Sequence, residues 1–383
     1  MFVAAELSRD NCVANRRRRR LCSAPMAEDE TKAARRRGLG GEKKPTINDV
    51  ARLAGVSKKT VSRVINQSPF VKEETRENIN RIIAEIGFSP DPQARGLAFR
   101  RSFLIGLVYD NPNPQYVVNM QLGMLDAMRG SGYELVVHPC NRNNPTFLAD
   151  FRRFIERQKL SGVVLTPSVS EDDRVKAILD EVGCAYIRIA SVPVDEPEHI
   201  IVSNDRLGGR AAARHLAELG HTRIGFISGP PSFRSSHERR GGFEEELKER
   251  KLTLPDNHVM QGAYTFETGI SCGAELLKLD PRPTAIFAAN DEMAAGVLHA
   301  IRRAGLKCPE DVSVVGFDDF QIASSVWPPL TTVRTPTREI GRMAAEKLID
   351  ATRESGEAER PREAAPATSP ALVVRDSTGP TPR

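Results

Sequence analysis

Two hydrophobic rhythms divide the chain. Between Thr46 and Ile86 the apolar residues fall at helical spacing; after Phe103 they fall in short runs separated by helical segments. In TINDVARLAGVSKKTVSRVIN (Thr46–Asn66), Val50 and Ala54 share one face, and Val61, Val64 and Ile65 share another. Gly55 between them permits a turn that a side chain would obstruct. Thr46 with Asp49 reads as a capping box, and Ser57 as the cap of a second helix. Ile79, Ile82, Ile83 and Ile86 then mark a third amphipathic helix over Lys72–Ile86, ended by Gly87. The pattern predicts a small three-helix unit with a modest core.

From Leu104 the runs LIGLVY, YELVVH, GVVLT, AYIRI, HIIVS, RIGFIS, HVMQG, AIFAA and SVVGF read as strands. Between them Val118–Arg129, Leu148–Gln158, Leu207–Leu219 and Met293–Ala304 have helical spacing. Such alternation implies parallel sheets flanked by helices, and the length suits two sheets with a cleft between them. A helix is expected at Arg338–Ala351 and a last strand at Ala371–Arg375. The Pro/Ala/Glu-rich stretch Arg353–Pro370 reads as a surface loop.

Charge changes this picture at one end. Residues 1–44 carry 12 Lys/Arg against 6 Asp/Glu, and residues 45–102 carry 10 against 6, although the whole chain is only +5. The first 44 residues have no hydrophobic period and read as a disordered basic tail. In Thr46–Asn66, Lys58, Lys59, Ser62 and Arg63 lie off the buried stripe. This arrangement suits a helix in a DNA major groove, and equally a solvated helical hairpin. The six cysteines are scattered with no Cys-x-x-Cys, which argues against zinc and against a disulfide framework and favours a reducing, cytoplasmic setting. No apolar run approaches a membrane span of about 20 residues.

The wording T-I-x-D-V-A-x-x-A-G-V-S-x-x-T-V-S-R-V-I-N resembles the headpiece of the lactose-repressor (LacI/GalR) family of bacterial transcription regulators. The resemblance runs from about Lys44 to Thr378. It implies an α/β protein: a helix-turn-helix DNA-binding domain over 45–90, a hinge helix over 91–102, and a type I periplasmic-binding-protein-like sensor over 103–378. The sensor's N-subdomain would take about 103–202 plus 337–364, its C-subdomain about 203–336 plus 365–378, leaving 379–383 as a tail. On the DNA side it points to Thr46, Ser57, Lys58, Lys59, Thr60, Ser62, Arg63 and Asn66, with Lys58 and Lys59 at the operator-discriminating pair. PDPQARGLAFRRS (Pro90–Ser102) resembles the family's hinge, which is helical only on operator DNA. There Arg95 would contact DNA and Leu97 would wedge into the minor groove. The same stretch also reads as a plain linker, since an isolated helix under about 12 residues is marginal in water.

Ligands of open α/β sheets sit at the carboxyl ends of strands. Polar residues there are Asp110 after LIGLVY, Arg188 in AYIRI, Tyr264 after HVMQG, Asn290 after AIFAA and Asp318 after SVVGF, with Arg239 in SSHERRGGF. Asp, Asn, Arg and an aromatic face are the groups that hold sugar hydroxyls and a sugar's C–H side. The family's cleft arginine matches Arg239, its A-N-D asparagine Asn290, its G-[FY]-D-D acid Asp318 and its aromatic Tyr264. Asn290 also reads as the cap of a helix from Asp291, and Asp318 as a turn cap. Arg188 stands where the family often has an acid, which opens the site to an acidic or phosphorylated effector. The expected function is an effector-controlled, homodimeric DNA-binding regulator that recognises a palindromic operator, with a carbohydrate effector and no cofactor. A solute-binding protein of the same fold is the alternative, but it has no use for Thr46–Asn66. No G-x-S-x-G elbow, phosphate-binding loop or metal-spaced His/Cys cluster suggests an enzyme.

Overall fold

The computed structural model of the 383-residue chain describes residues 45–65, 70–88, 102–352 and 369–382. The basic tail, Asn66, the hinge residues Arg95 and Leu97, and residues 353–368 lie outside the described residues. The chain divides into units of residues 1–90 and 91–383.

The first unit holds α1 (Ile47–Ala54), α2 (Lys58–Ile65) and α3 (Glu73–Ile86). The Asp49 carboxylate accepts hydrogen bonds from the Thr46 backbone N–H (3.0 Å) and hydroxyl (2.7 Å), the reach-back expected of a capping box. Gly55 ends α1 with φ 65°, a left-handed conformation that admits the sharp turn into α2. Ser57 Oγ accepts from Thr60 N–H (3.1 Å) and starts α2. Val50, Val61, Val64, Ile79 and Ile82 close the core, with Ile65, Ile83 and Ile86 partly buried around it.

The second unit contains two sheets. The first holds β1 (Leu104–Tyr109), β2 (Glu134–Pro139), β3 (Gly162–Leu165), β4 (Ala185–Ala190) and β5 (Ile200–Val202) in the order β2-β1-β3-β4-β5, parallel throughout. Its central strands are buried on both faces, which is why they read as unbroken apolar runs. One face packs on α4 (Pro114–Met128) and α12 (Thr337–Thr352) through Met120, Met124, Ala344 and Leu348. The other packs on α5 (Phe147–Gln158) and α6 (Asp173–Val182) through Phe151, Ile155, Val175 and Leu179.

The second sheet holds β6 (Ile224–Ser228), β7 (Val259–Gln261), β8 (Ala285–Ala288), β9 (Ser313–Asp318), β10 (Thr331–Arg334) and β11 (Ala371–Val373). The order is β11-β10-β9-β8-β6-β7, with only the β10–β11 pairing antiparallel. Around it lie α7 (Asp205–Glu218), α8 (Arg234–Glu249), α9 (Phe266–Leu277), α10 (Asp291–Arg303) and the short α11 (Gln321–Ser325). Its core is built on a cluster of mostly tilted rings, Phe226, Phe243, Phe287 and Phe317, with centroids 5.0 to 6.4 Å apart. The chain enters this sheet after β5, returns to the first layer with α12 after β10, and comes back as the edge strand β11. Among the described residues no helix is long and apolar enough to cross a membrane.

Candidate functional site

Parallel strands present their carboxyl ends, and the helices that follow them, to one cleft. A cavity of about 50 Å³ there is lined by Arg239, Tyr264, Asn290 and Asp318, together with Asp205, Asn113, Tyr116, Phe233 and Thr335. Asp318 is the last residue of β9, Asn290 follows β8, Tyr264 follows β7, and Arg239 stands on the second turn of α8.

Arg239 is the centre of the arrangement. Its Nε donates to Asp205 Oδ1 (2.8 Å), its Nη1 to the Ala289 carbonyl (2.5 Å) and its Nη2 to Asp318 Oδ1 (3.2 Å). The guanidinium also lies 3.8 Å from the Phe317 ring centroid. A buried cation is stable only when it is paired and hydrogen-bonded, and two carboxylates supply that here. Asp205 is fixed in turn by a hydrogen bond from the Ser203 hydroxyl.

Tyr264 forms the aromatic wall. Its hydroxyl shares hydrogen bonds with Ser236 Oγ (2.8 Å) and Ser235 Oγ (3.4 Å), and Phe233 meets its ring edge-on at 5.6 Å. The ring lies where a Cβ at Gly229 would be, 2.1 Å from its Cζ, so only glycine fits there. Tyr264 has φ 63°, a costly conformation for a bulky residue. Asn290 holds it in place by donating Nδ2–H to the Tyr264 carbonyl (3.0 Å), while its Oδ1 accepts from Met293 N–H (2.9 Å) and caps α10. Capping and cavity lining therefore coexist in one side chain.

Asp110 and Arg188 do not line this cavity. The Asp110 carboxylate accepts from Arg142 N–H (3.3 Å) and Nε (3.4 Å). Arg188 is 1% exposed and spends its donors on the carbonyls of Ser170 (2.5 Å) and Val194 (3.2 Å) and on Asp195 (3.1 Å) and Asp173 (3.2 Å). Its charge is neutralised behind the strand, so the opening for an acidic effector drawn from it closes. Asp205, Asn113 and Tyr116 escaped the sequence reading. The strand-end rule applied to HIIVS would have reached Asp205, two residues past the strand; nothing comparable marks Asn113 or Tyr116.

Burial pushes the Asp318 carboxyl up to about 7; Arg239 opposes the shift and the Asp205 carboxylate adds to it. Its ordinary value is 3.8, so the folded chain keeps this proton longer than the unfolded chain does. The resulting contribution to stability is full below pH 3.8 and is lost as pH rises through about 7. Asp291, buried behind it, is pushed in the same direction. Denaturant titrations from pH 5 to 8 on wild type and Asp318→Asn should therefore differ in slope, with the wild type losing more stability toward pH 8. Parallel curves would refute the assignment.

On α2, Lys58, Lys59 and Arg63 are exposed and have no acidic partner among the described residues. The neighbouring cations Arg52 and Arg81 are paired with Asp49 and Glu85. Lys58 and Ser62, and Lys59 and Arg63, are i,i+4 pairs, so the four make one polar strip opposite Val61 and Val64. Thr46 and Ser57 spend their hydroxyls on local caps, and the Thr60 hydroxyl lies 2.9 Å from Ser57 Oγ.

Residues 46–91 match the family described as bacterial regulatory proteins, lacI family, and residues 213–378 match a periplasmic binding protein-like domain. The HTH-type transcriptional regulator CelR of Thermobifida fusca is 35% identical over 88% of this chain and 98% of its own. A solved complex of a transcriptional regulator CelR with cellobiose has a TM-score of 0.64 at 33% identity, covering 87% of this chain and 99% of that one. The lac repressor dimer bound to operator and the anti-inducer ONPF gives 0.69 at 28% identity, covering 88% and 100%. The helix-turn-helix unit, the paired parallel sheets and these full-length similarities agree: the chain belongs to the LacI family of bacterial regulatory proteins.

Proposed function

We infer that the protein is a transcription regulator whose operator affinity is set by a small carbohydrate-type effector held in the cleft, and that it works as a homodimer in the cytoplasm. The observation that carries the reading is the occurrence, in one chain, of an exposed cationic strip on α2 and a polar strand-end cavity in a separate unit. The dimer has support in the lac repressor dimer and in Val118, Leu122 and Leu125, an apolar row on α4 that is 40 to 46% exposed. The cavity of about 50 Å³ is far below the roughly 300–1,000 Å³ of ordinary ligand pockets, so the effector enters by parting the two sheets. That motion is the means by which ligand state would reach the DNA-binding unit.

Lys58 and Lys59 open α2, where recognition-helix side chains reach base edges. Lys58→Ala with Lys59→Ala should relax the selected operator at one or two positions, each lost contact costing about 1–3 kcal/mol. Operator selection from a random library, wild type against the double variant, decides it. An unchanged consensus would remove the pair from base readout. A solute-binding protein would show no salt-dependent retention on DNA at all.

A further inference from the structure

A second groove lies between the end of β2 and α5 and shares no lining residue with the cleft. It encloses about 430 Å³, within the roughly 300–1,000 Å³ of ordinary ligand pockets. Its wall is aromatic: the His138 and Phe154 rings lie nearly parallel with centroids 4.1 Å apart, and the buried Phe147 lines the same space. β2 is an edge strand, and the free N–H groups of such a strand can pair with a peptide. Glu134 and Cys140 turn their N–H groups to β1, so Leu135, Val137 and Pro139 face outward. Pro139 has no N–H and stands at the groove, so strand pairing stops where the groove begins. The space suits a small molecule instead.

Donors outnumber acceptors there. Asp150 accepts from Arg153 Nη2 (2.9 Å) and from the Thr146 hydroxyl (2.6 Å), so that carboxylate and one guanidinium cancel. Arg157, one turn further along the same face of α5, is exposed and has no acidic partner among the described residues. Asn141 and Asn144 spend their Oδ1 atoms on the backbone N–H groups of Asn143 (2.9 Å) and Thr146 (3.0 Å), which leaves their amide N–H groups for a ligand. Burial holds His138 below its ordinary value against the pull of Asp150, so the ring adds no charge at neutral pH. Two arginines against one aspartate give the groove a net charge of +1.

We propose that this groove is a second effector site, for a small organic anion with a flat apolar body. Its carboxylate or phosphate meets Arg157 and the two asparagine amides, and its body covers the His138–Phe154 pair. The groove reaches the cleft through its rim. Asn141 is followed by Arg142, which is held to Asp110 after β1 (3.3 and 3.4 Å) and donates from Nη2 to the Ser232 carbonyl on the loop after β6 (3.1 Å). An anion that draws Asn141 into the groove pulls on this contact between the two sheet layers and shifts the balance of cleft opening. The coupling rests on the regulatory reading above; the site does not.

Isothermal titration of the full chain with benzoate and with phenyl phosphate, at millimolar concentration and beside neutral benzyl alcohol, tests the site. The variants are Arg157→Glu and, as the same charge change elsewhere, Arg302→Glu on α10; both side chains are exposed. Expected is an anion that binds wild type and Arg302→Glu alike, binds Arg157→Glu at least about tenfold more weakly, and has no match in the alcohol. Undiminished binding by Arg157→Glu overturns the assignment, as does a wild type that takes neither anion. Benzyl alcohol that binds as tightly overturns the ligand class. Operator affinity with and without the anion, in wild type and Arg142→Gln, then tests the coupling. A several-fold shift in wild type that Arg142→Gln loses while still binding the anion supports it. A bound anion that leaves operator affinity unchanged overturns the effector role. A chain that binds no operator in either condition overturns the regulatory reading instead, and the titrations are decided without it.

Discussion

Asp318→Ala is expected to cost the sensor its effector response and about 2–3 kcal/mol of stability together, whereas Asp318→Asn should lose the response alone. The difference lies in Arg239. Its Nη2 is buried and donates to Asp318 Oδ1 at 3.2 Å, and alanine leaves that charged donor without an acceptor. Asparagine keeps an oxygen in the same place and removes a carboxylate that burial already disfavours. The backbone points the same way: Asp318 has φ 103° and Asp319 φ 56°, and asparagine tolerates positive φ far better than alanine. Asp319 holds the turn from outside, its carboxylate accepting from Arg334 Nε (2.7 Å) and Arg375 Nη2 (2.6 Å). Both variants should still bind operator, since the DNA-binding unit has its own core. The check is operator affinity with and without a neutral sugar that shifts the wild type, alongside melting temperatures. An Asp318→Asn protein that retains the full response would take Asp318 out of effector binding. An Asp318→Ala protein as stable as wild type would mean that Arg239 does not need it.

The fold class was legible because burial and periodicity coincide. Strands such as Leu104–Tyr109 are apolar throughout because both sheet faces are covered, and the isoleucines of α3 mark one packed face. Elements whose buried face is polar were not legible. α8 hides Ser235, Ser236, Glu238, Arg239 and Glu246 along with Phe243 and Leu247, so it has no apolar stripe. Its polar face is matched by α7, where Arg206 donates to Glu238 (2.7 Å) and Arg214 to Glu246; Arg250, at the end of α8 itself, also donates to Glu246, whose carboxyl is thereby lowered to about 2. β10 escaped for a similar reason. Only Val333 is apolar in it, and its buried threonines spend their hydroxyls, Thr331 on the Arg375 carbonyl (3.1 Å) and Thr332 on Asp291 (2.5 Å). At the site, the strand-end rule brought Arg239's partner Asp318, with Asn290 and Tyr264, to the cavity. It misplaced Arg188 because a single residue's position on a strand does not tell which face it takes when both are buried. No rule of spacing foretells that Asn113's amide is left open, among the described residues, by its own capping geometry.

Gly242→Ala is expected to be among the most damaging single methyls in the sensor, at about 3 kcal/mol or more, the upper range for overpacking. α7 and α8 cross at reciprocal glycines. A Cβ on Gly242 would sit 2.0 Å from the Arg206 carbonyl oxygen, and one on Gly209 would sit 2.1 Å from the Arg239 carbonyl oxygen. Both obstacles are backbone, so no rotamer change relieves them; the helices must separate. That movement reaches the cleft directly, because Asp205 begins α7 and Arg239 lies one turn before Gly242, joined across the crossing by the 2.8 Å ion pair. The Arg–Glu rungs between Arg206, Arg210, Arg214 and Glu238, Glu246, Glu249 would stretch with it. Gly305→Ala is the control. Gly305 has φ 73° but nothing within 4 Å of an added Cβ, so it should lose only the backbone cost of about 1–2 kcal/mol. Denaturant unfolding of the two variants separates steric from conformational cost, and effector affinity shows whether the damage travels. Equal losses in the two proteins, or a Gly242→Ala protein with normal effector affinity, would mean that the α7–α8 crossing does not set the position of Arg239.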